Sequence, residues 1–102
     1  MKLNIEFQYF KGCPNHKKMS DNLEDAIKGS EDKIELTKVL VKDEETAKRV
    51  GFRGSPTLLI DGEDLEGIAA PRNASLSCRF YPKGIPSSLS IKNKIQEKLN
   101  RS

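Results

Sequence analysis

The stretch Leu3-Asn4-Ile5-Glu6-Phe7-Gln8-Tyr9-Phe10-Lys11-Gly12-Cys13-Pro14-Asn15-His16 decides how the chain is read. Its first half alternates, with Leu3, Ile5, Phe7 and Tyr9 on one face and Asn4, Glu6 and Gln8 on the other. That period of two, in residues that favour extended backbone, predicts a strand. Lys11-Gly12 breaks the alternation, and Pro14 suits the first position of a helix because its missing N–H would have had no partner there. Met19, Leu23, Ala26 and Ile27 then recur at spacings of four and three, an apolar helical stripe, and Gly29 supplies a stop. Cys13 is thereby placed between the carboxyl end of a strand and the amino end of a helix.

Working outward, Lys33 to Val41 reads as a second strand. Asp43 opens a short helix with Glu44 and Glu45 first and Lys48 and Arg49 last, an order that suits the helix dipole, and Gly51 closes it. Gly54-Ser55-Pro56 leads into a third strand at Thr57 to Ile60. Asp61-Gly62 is a two-residue hairpin turn that pairs Glu63 to Glu66 back as a fourth strand. Gly67 to Ser77 reads as a loop and Cys78 to Tyr81 as a short extended piece. Ser87 or Ser88 caps a last helix carrying Ile91, Ile95 and Leu99 on one stripe. The order β-α-β-α-β-β-α predicts an α/β fold, a mixed four-stranded sheet flanked by helices, because helical crossovers give parallel neighbours and a hairpin gives antiparallel ones.

A chain of 102 residues has room for one compact domain. Its 35% apolar residues support one modest core, and its 32% charged residues, against roughly 25% in an average domain, a well solvated surface. Eighteen basic and fifteen acidic residues give a net charge of +3, too balanced and too dispersed to indicate nucleic acid. No run approaches the ~18 apolar residues of a membrane span, and the first residues have no apolar core of signal-peptide length, so a cytoplasmic location without a membrane partner is expected. In that compartment cysteines point to redox or metal chemistry more than to structural bridges.

The chemistry expected at Cys13 follows from its place. Free N–H groups and the dipole at a helix amino end stabilise a thiolate, lowering a thiol pKa from about 8.5 into the range of roughly 3.5–7.5. His16 lies one turn along the same helix, as an ion-pair, hydrogen-bond or co-ligand partner. The alternative for Cys13 is a dormant thiol at a helix start, and for His16 a surface side chain. For Cys78 it is a small buried hydrophobe. Arg79 is read as a surface residue, with support of a Cys78 thiolate or anion binding as its other roles. Glycine-rich nucleotide motifs, a Ser-His-Asp arrangement and the paired ligand spacings of a zinc site are absent from the sequence, so no cofactor and no structural metal are expected.

A strand, then Cys-Pro-x-x at a helix start (Cys13 to His16), then a Gly-Ser-Pro-Thr turn (Gly54 to Thr57) entering a hairpin, resembles the thioredoxin family, and the element order is closest to the glutaredoxin-sized core. Together with Gly12-Cys13-Pro14-Asn15-His16, the segment Ser77-Cys78-Arg79-Phe80-Tyr81 is similar to one found in a group of small bacterial and archaeal thioredoxin-like proteins. Some of these are selenoproteins and others are tied by name to organomercury handling. The resemblance implies that Pro56 is a cis-proline packed against the active-site cysteine. It also implies that the backbone of Ser55 is offered to a substrate, with Pro14 and Thr57 completing the wall.

The chain departs from the usual Cys-x-x-Cys, because position 16 is histidine and a local resolving thiol is missing. Three mechanisms stay open: Cys13 alone through a mixed disulfide with a low-molecular-weight thiol, Cys78 as a distant resolving cysteine, or a soft metal held by Cys13, His16 and Cys78. The second requires Cα atoms within about 7 Å. The expectation is a thiol-dependent redox protein with Cys13, His16 and Cys78 as catalytic residues, acting on protein disulfides or low-molecular-weight thiols. A binder of thiophilic metals or organometals, or a non-catalytic interaction module, are the alternatives.

Overall fold

The computed structural model describes residues 2–101. Strand β1 (Leu3–Tyr9) leads through the Cys13 loop to α1 (Asn15–Ile27), and a single 3-10 turn (Glu31–Lys33) returns the chain to β2 (Ile34–Leu40). Then follow α2 (Glu44–Val50), β3 (Thr57–Ile60), β4 (Glu63–Asp64) and α3 (Ser88–Arg101). The sheet order is β2-β1-β3-β4. Strands β1 and β2 are parallel, with Leu3 opposite Ile34, as the helical crossover requires, while β3 runs antiparallel to both β1 and β4. This is the mixed four-stranded α/β arrangement that the apolar periodicity predicts.

The alternation of β1 sorts its side chains between two cores. Leu3, Ile5 and Phe7 pack with Met19, Leu23 and Ala26 of α1 and with Ile91 and Ile95 of α3. Each of these side chains larger than alanine, fully removed from water, contributes roughly 1.5–3 kcal/mol. On the other face a smaller cluster of Val41, Ala47, Phe52 and Ala74 lies under α2. Gln8 points to that side. Read as polar from its place in the alternation, it is fully buried, and its amide donates to the Val50 carbonyl at the end of α2 (2.9 Å). Asp43 caps α2 through the Thr46 N–H and Ser87 caps α3 through the Ser90 N–H.

Two boundaries differ from expectation by more than one residue. Asp61 (φ 51°) and Gly62 (φ 83°) form the expected tight turn, but β4 ends at Asp64 instead of continuing to Glu66. The Asp64 carboxylate accepts from the N–H groups of Glu66 and Ile68, and the Gly67 N–H bonds to the Asp64 carbonyl, so the chain curls off the sheet. The extended piece at Cys78 to Tyr81 reduces to one parallel bridge, Cys78 with Ser55.

Candidate active site

Cys13 is held by a turn in which its N–H donates to the Phe10 carbonyl (3.1 Å). The Phe10 ring lies where a Cβ on Gly12 would stand, so the missing side chain lets the turn fold under the ring. Pro14 is exposed and already helical (φ −67°, ψ −20°), and supplies no side-chain cap to α1. The first N–H groups of this thirteen-residue helix therefore face the Cys13 end without a cap from that side.

The second cysteine comes to the same place from the far end of the chain. Cys13 and Cys78 form a disulfide with Cα atoms 5.7 Å apart across a sequence separation of 65. Cys13 is only 2% exposed, whereas Cys78 lies on the surface. His16 does not join them: its ring lies 5.0 Å from that of Tyr9, in a groove with Lys17, Ser20, Asp21 and Lys38.

The Gly54-to-Thr57 turn forms the floor. The Ser55–Pro56 peptide bond is cis, and Ser55, Pro56 and Thr57 are buried. Their polar groups are spent inside the protein. Ser55 Oγ accepts from the Phe10 N–H (2.9 Å), which ties this turn to the Cys13 loop, and Thr57 Oγ1 donates to the Gly54 carbonyl (2.6 Å). The main chain of Ser55 is taken as well: its N–H donates to the Ser77 carbonyl (2.8 Å) and its carbonyl accepts from the Arg79 N–H (2.9 Å). The chain's own segment 77–79 thus lies along the backbone that the resemblance offers to a substrate.

Arg79 is not a surface residue. Its guanidinium forms a two-pronged ion pair with Asp64 (2.6 and 2.8 Å), with side chains 7% and 1% exposed, and stacks over the Tyr81 ring (4.5 Å). Burial of the Asp64 carboxyl opposes its ionisation. The bonds from Arg79 and from the Ile68 and Glu66 N–H groups outweigh that, holding the acid below its ordinary 3.8. The buried Tyr81 hydroxyl, its pKa pushed up by burial, donates to the Pro56 carbonyl (2.5 Å). Asp64, Tyr81 and Gly54 are the site residues that the sequence reading missed. The Gly-Ser-Pro turn signalled Gly54 and the Ser77 to Tyr81 segment signalled Tyr81, while nothing in the sequence signalled Asp64.

Gly54 makes the close approach possible. It has φ +100°, and a Cβ there would stand 2.9 Å from Arg79 Cβ and 3.1 Å from the Arg79 backbone. Gly54→Ala is expected to cost about 2–3 kcal/mol, through the unfavourable φ and the displaced segment. Urea denaturation measures the cost, and faster hydrogen exchange at the Arg79 amide locates it.

Among the described residues no group of three or more His, Cys, Asp and Glu side chains is arranged to hold a metal, and no helix is long and apolar enough to cross a membrane. No family model and no curated protein matches the sequence. Solved structures do match. A thioredoxin-2 described as a component of the malaria parasite's protein secretion machinery has TM-score 0.63 at 16% identity, over 94% of this chain and 82% of that one. A second malarial protein matches with TM-score 0.63 at 17% identity, over 95% and 97% of the two chains. The germline-specific thioredoxin Deadhead of Drosophila melanogaster matches with TM-score 0.53 at 20% identity, over 98% and 80%. The sheet order, the helix that starts beside Cys13 and these neighbours together establish that the chain has a thioredoxin-like fold.

Proposed function

We propose that this is a thiol–disulfide redox protein that cycles between the Cys13–Cys78 disulfide and the dithiol. The observation that carries the reading is the pairing itself: two cysteines far apart in sequence meet at the amino end of α1 on a thioredoxin-like frame. In the reducing step two external thiols give up two electrons and two protons to the protein disulfide and leave as their own disulfide. The external partner is a protein disulfide or a low-molecular-weight thiol, and the compartment is the cytoplasm, where a cycling disulfide is better suited than a structural one. Ser55, Pro56 and Thr57 serve as the seat of the Cys78 segment. His16, its ring tilted against that of Tyr9, takes no part in the exchange itself. A thiophilic-metal role draws no support from this geometry, because its two thiols are bonded to each other.

The test is equilibration in glutathione buffers of graded redox poise, with rapid alkylation and mass analysis. The expected result is one two-electron transition in which both thiols appear together while circular dichroism stays native. A disulfide that never opens in the folded protein, or cysteines that titrate independently, would remove the proposal.

A further inference from the structure

The geometry points to Cys78, not the helix-start Cys13, as the sulfur that exchanges with outside thiols, and to a small thiol as the partner. This rests on the redox reading above and gives it a direction.

Displacement at a disulfide is in line: the incoming thiolate approaches a sulfur from the side opposite the bond that breaks. Approach to Cys13 Sγ would come through the protein, because Cys13 is 2% exposed. Approach to Cys78 Sγ comes from the solvent side, because Cys78 is exposed, as is Phe80 two residues on (83%). An external thiolate RS⁻ therefore forms the R–S–S–Cys78 bond. The Cys13–Cys78 bond breaks, and its electron pair leaves with Cys13 Sγ as a thiolate. That leaving group sits at the amino end of α1, where the dipole and N–H groups without a side-chain cap from Pro14 favour negative charge. A second RS⁻ attacks the sulfur of R in the mixed disulfide, releasing R–S–S–R and the Cys78 thiolate. In the oxidising direction the Cys13 thiolate attacks Cys78 Sγ of the mixed disulfide, closes the protein disulfide and expels RS⁻.

The size of the partner follows from the occupied floor. The backbone that the resemblance offers to an extended peptide is the N–H and carbonyl of Ser55, and both are bonded to Ser77 and Arg79. Opening the disulfide does not clear them, because the buried Arg79–Asp64 ion pair and the Tyr81–Pro56 bond still hold the segment down. A partner that needs only the exposed sulfur, a small thiol such as glutathione, is the one this site admits. The same anchors keep Cys78 within reach of Cys13 between the two steps.

The experiment compares Cys13→Ser and Cys78→Ser, each reduced and treated with glutathione disulfide. It adds an acid-quenched digest of the oxidised wild type caught early in its reduction by glutathione. The remaining Cys78 in the first variant is expected to form the mixed disulfide at least about ten-fold faster than the remaining Cys13 in the second. In the wild-type digest glutathione is expected on the peptide containing Cys78. Equal or faster reaction of Cys13, or glutathione found on its peptide, overturns the assignment. The wild-type digest decides if Cys78→Ser unfolds and uncovers Cys13. Reduction of the wild type by an extended cysteine peptide about ten-fold faster than by glutathione, at equal thiolate concentration, overturns the small-thiol part. In either case the two-electron transition of the pair would still be seen, so a wrong direction is distinguishable from a wrong redox reading.

Discussion

Asp64→Asn is expected to lower the free energy of unfolding by about 3–5 kcal/mol at neutral pH, the usual cost of removing one partner from a buried ion pair. The wild-type carboxylate accepts four hydrogen bonds, two from Arg79 and one each from the Glu66 and Ile68 N–H groups. An asparagine offers one acceptor oxygen and turns its amide donors toward the guanidinium, which stays charged and buried. The damage spreads along the chain, because Arg79 also carries the N–H that closes on the Ser55 carbonyl. Paired replacement, Asp64→Leu with Arg79→Met, is expected to recover a large part of the loss, since it leaves no unpaired charge behind. Urea denaturation of the three proteins measures this. A double variant no more stable than Asp64→Asn would show that the ion pair itself, and not the stranded guanidinium, sets the cost.

The same pair gives the stability a pH dependence whose sign is fixed. Asp64 is held below its ordinary value in the folded protein, so at acid pH the unfolded chain binds the proton first. The stabilisation is therefore complete above about pH 5, one unit over the unfolded value near 4, and is lost as pH falls through the folded value. The gap between wild type and Asp64→Asn should stay level from pH 7 to about 5 and narrow below it. A gap unchanged at pH 3 would show that the carboxylate is not what Arg79 holds.

The sequence made the frame legible because its signals are local. Alternation in Leu3 to Tyr9, the apolar stripe of α1 and the Asp61-Gly62 turn each act within a few residues, and each element forms where its pattern lies. The site was legible as separate pieces, Cys13, the Gly54 to Thr57 turn and Cys78, but not as one place. Cys13 is marked by Gly12 and Pro14 beside it, but what faces it arrives from residues 77–81, across a loop with no periodicity to read. Arg79 reads as a surface residue in the sequence because its partner, Asp64, lies at the end of a hairpin strand, and only the folded sheet puts the two together. β4 stops early for the same reason: Asp64 spends its carboxylate on the following N–H groups as well as on Arg79, which no alternation pattern encodes.

Opening the disulfide is expected to cost about 4 kcal/mol of stability, because the bond closes a loop spanning 65 positions and the reduced unfolded chain regains that freedom. The loop contains α1, β2, α2, β3 and β4, so most of the sheet is enclosed by it. The cost is carried by the unfolded state. In the folded protein the Ser55 main-chain bonds, the Arg79–Asp64 pair and the Tyr81–Pro56 bond hold segment 77–81 without the sulfurs. Urea denaturation of the oxidised protein beside Cys13→Ala/Cys78→Ala should show a lower midpoint and a steeper dependence on urea for the variant, whose unfolded chain exposes more surface. Unchanged midpoints would mean that the denatured chain keeps the two ends together without the bond. A variant unfolded without urea would strike at the redox reading itself, because a protein that exchanges thiols in cycles must stay folded in both states. The anchors around Arg79 are what allow a loss of this size to be borne, and they link the two predictions: Asp64→Asn should leave the oxidised protein folded and bring the reduced one close to unfolding.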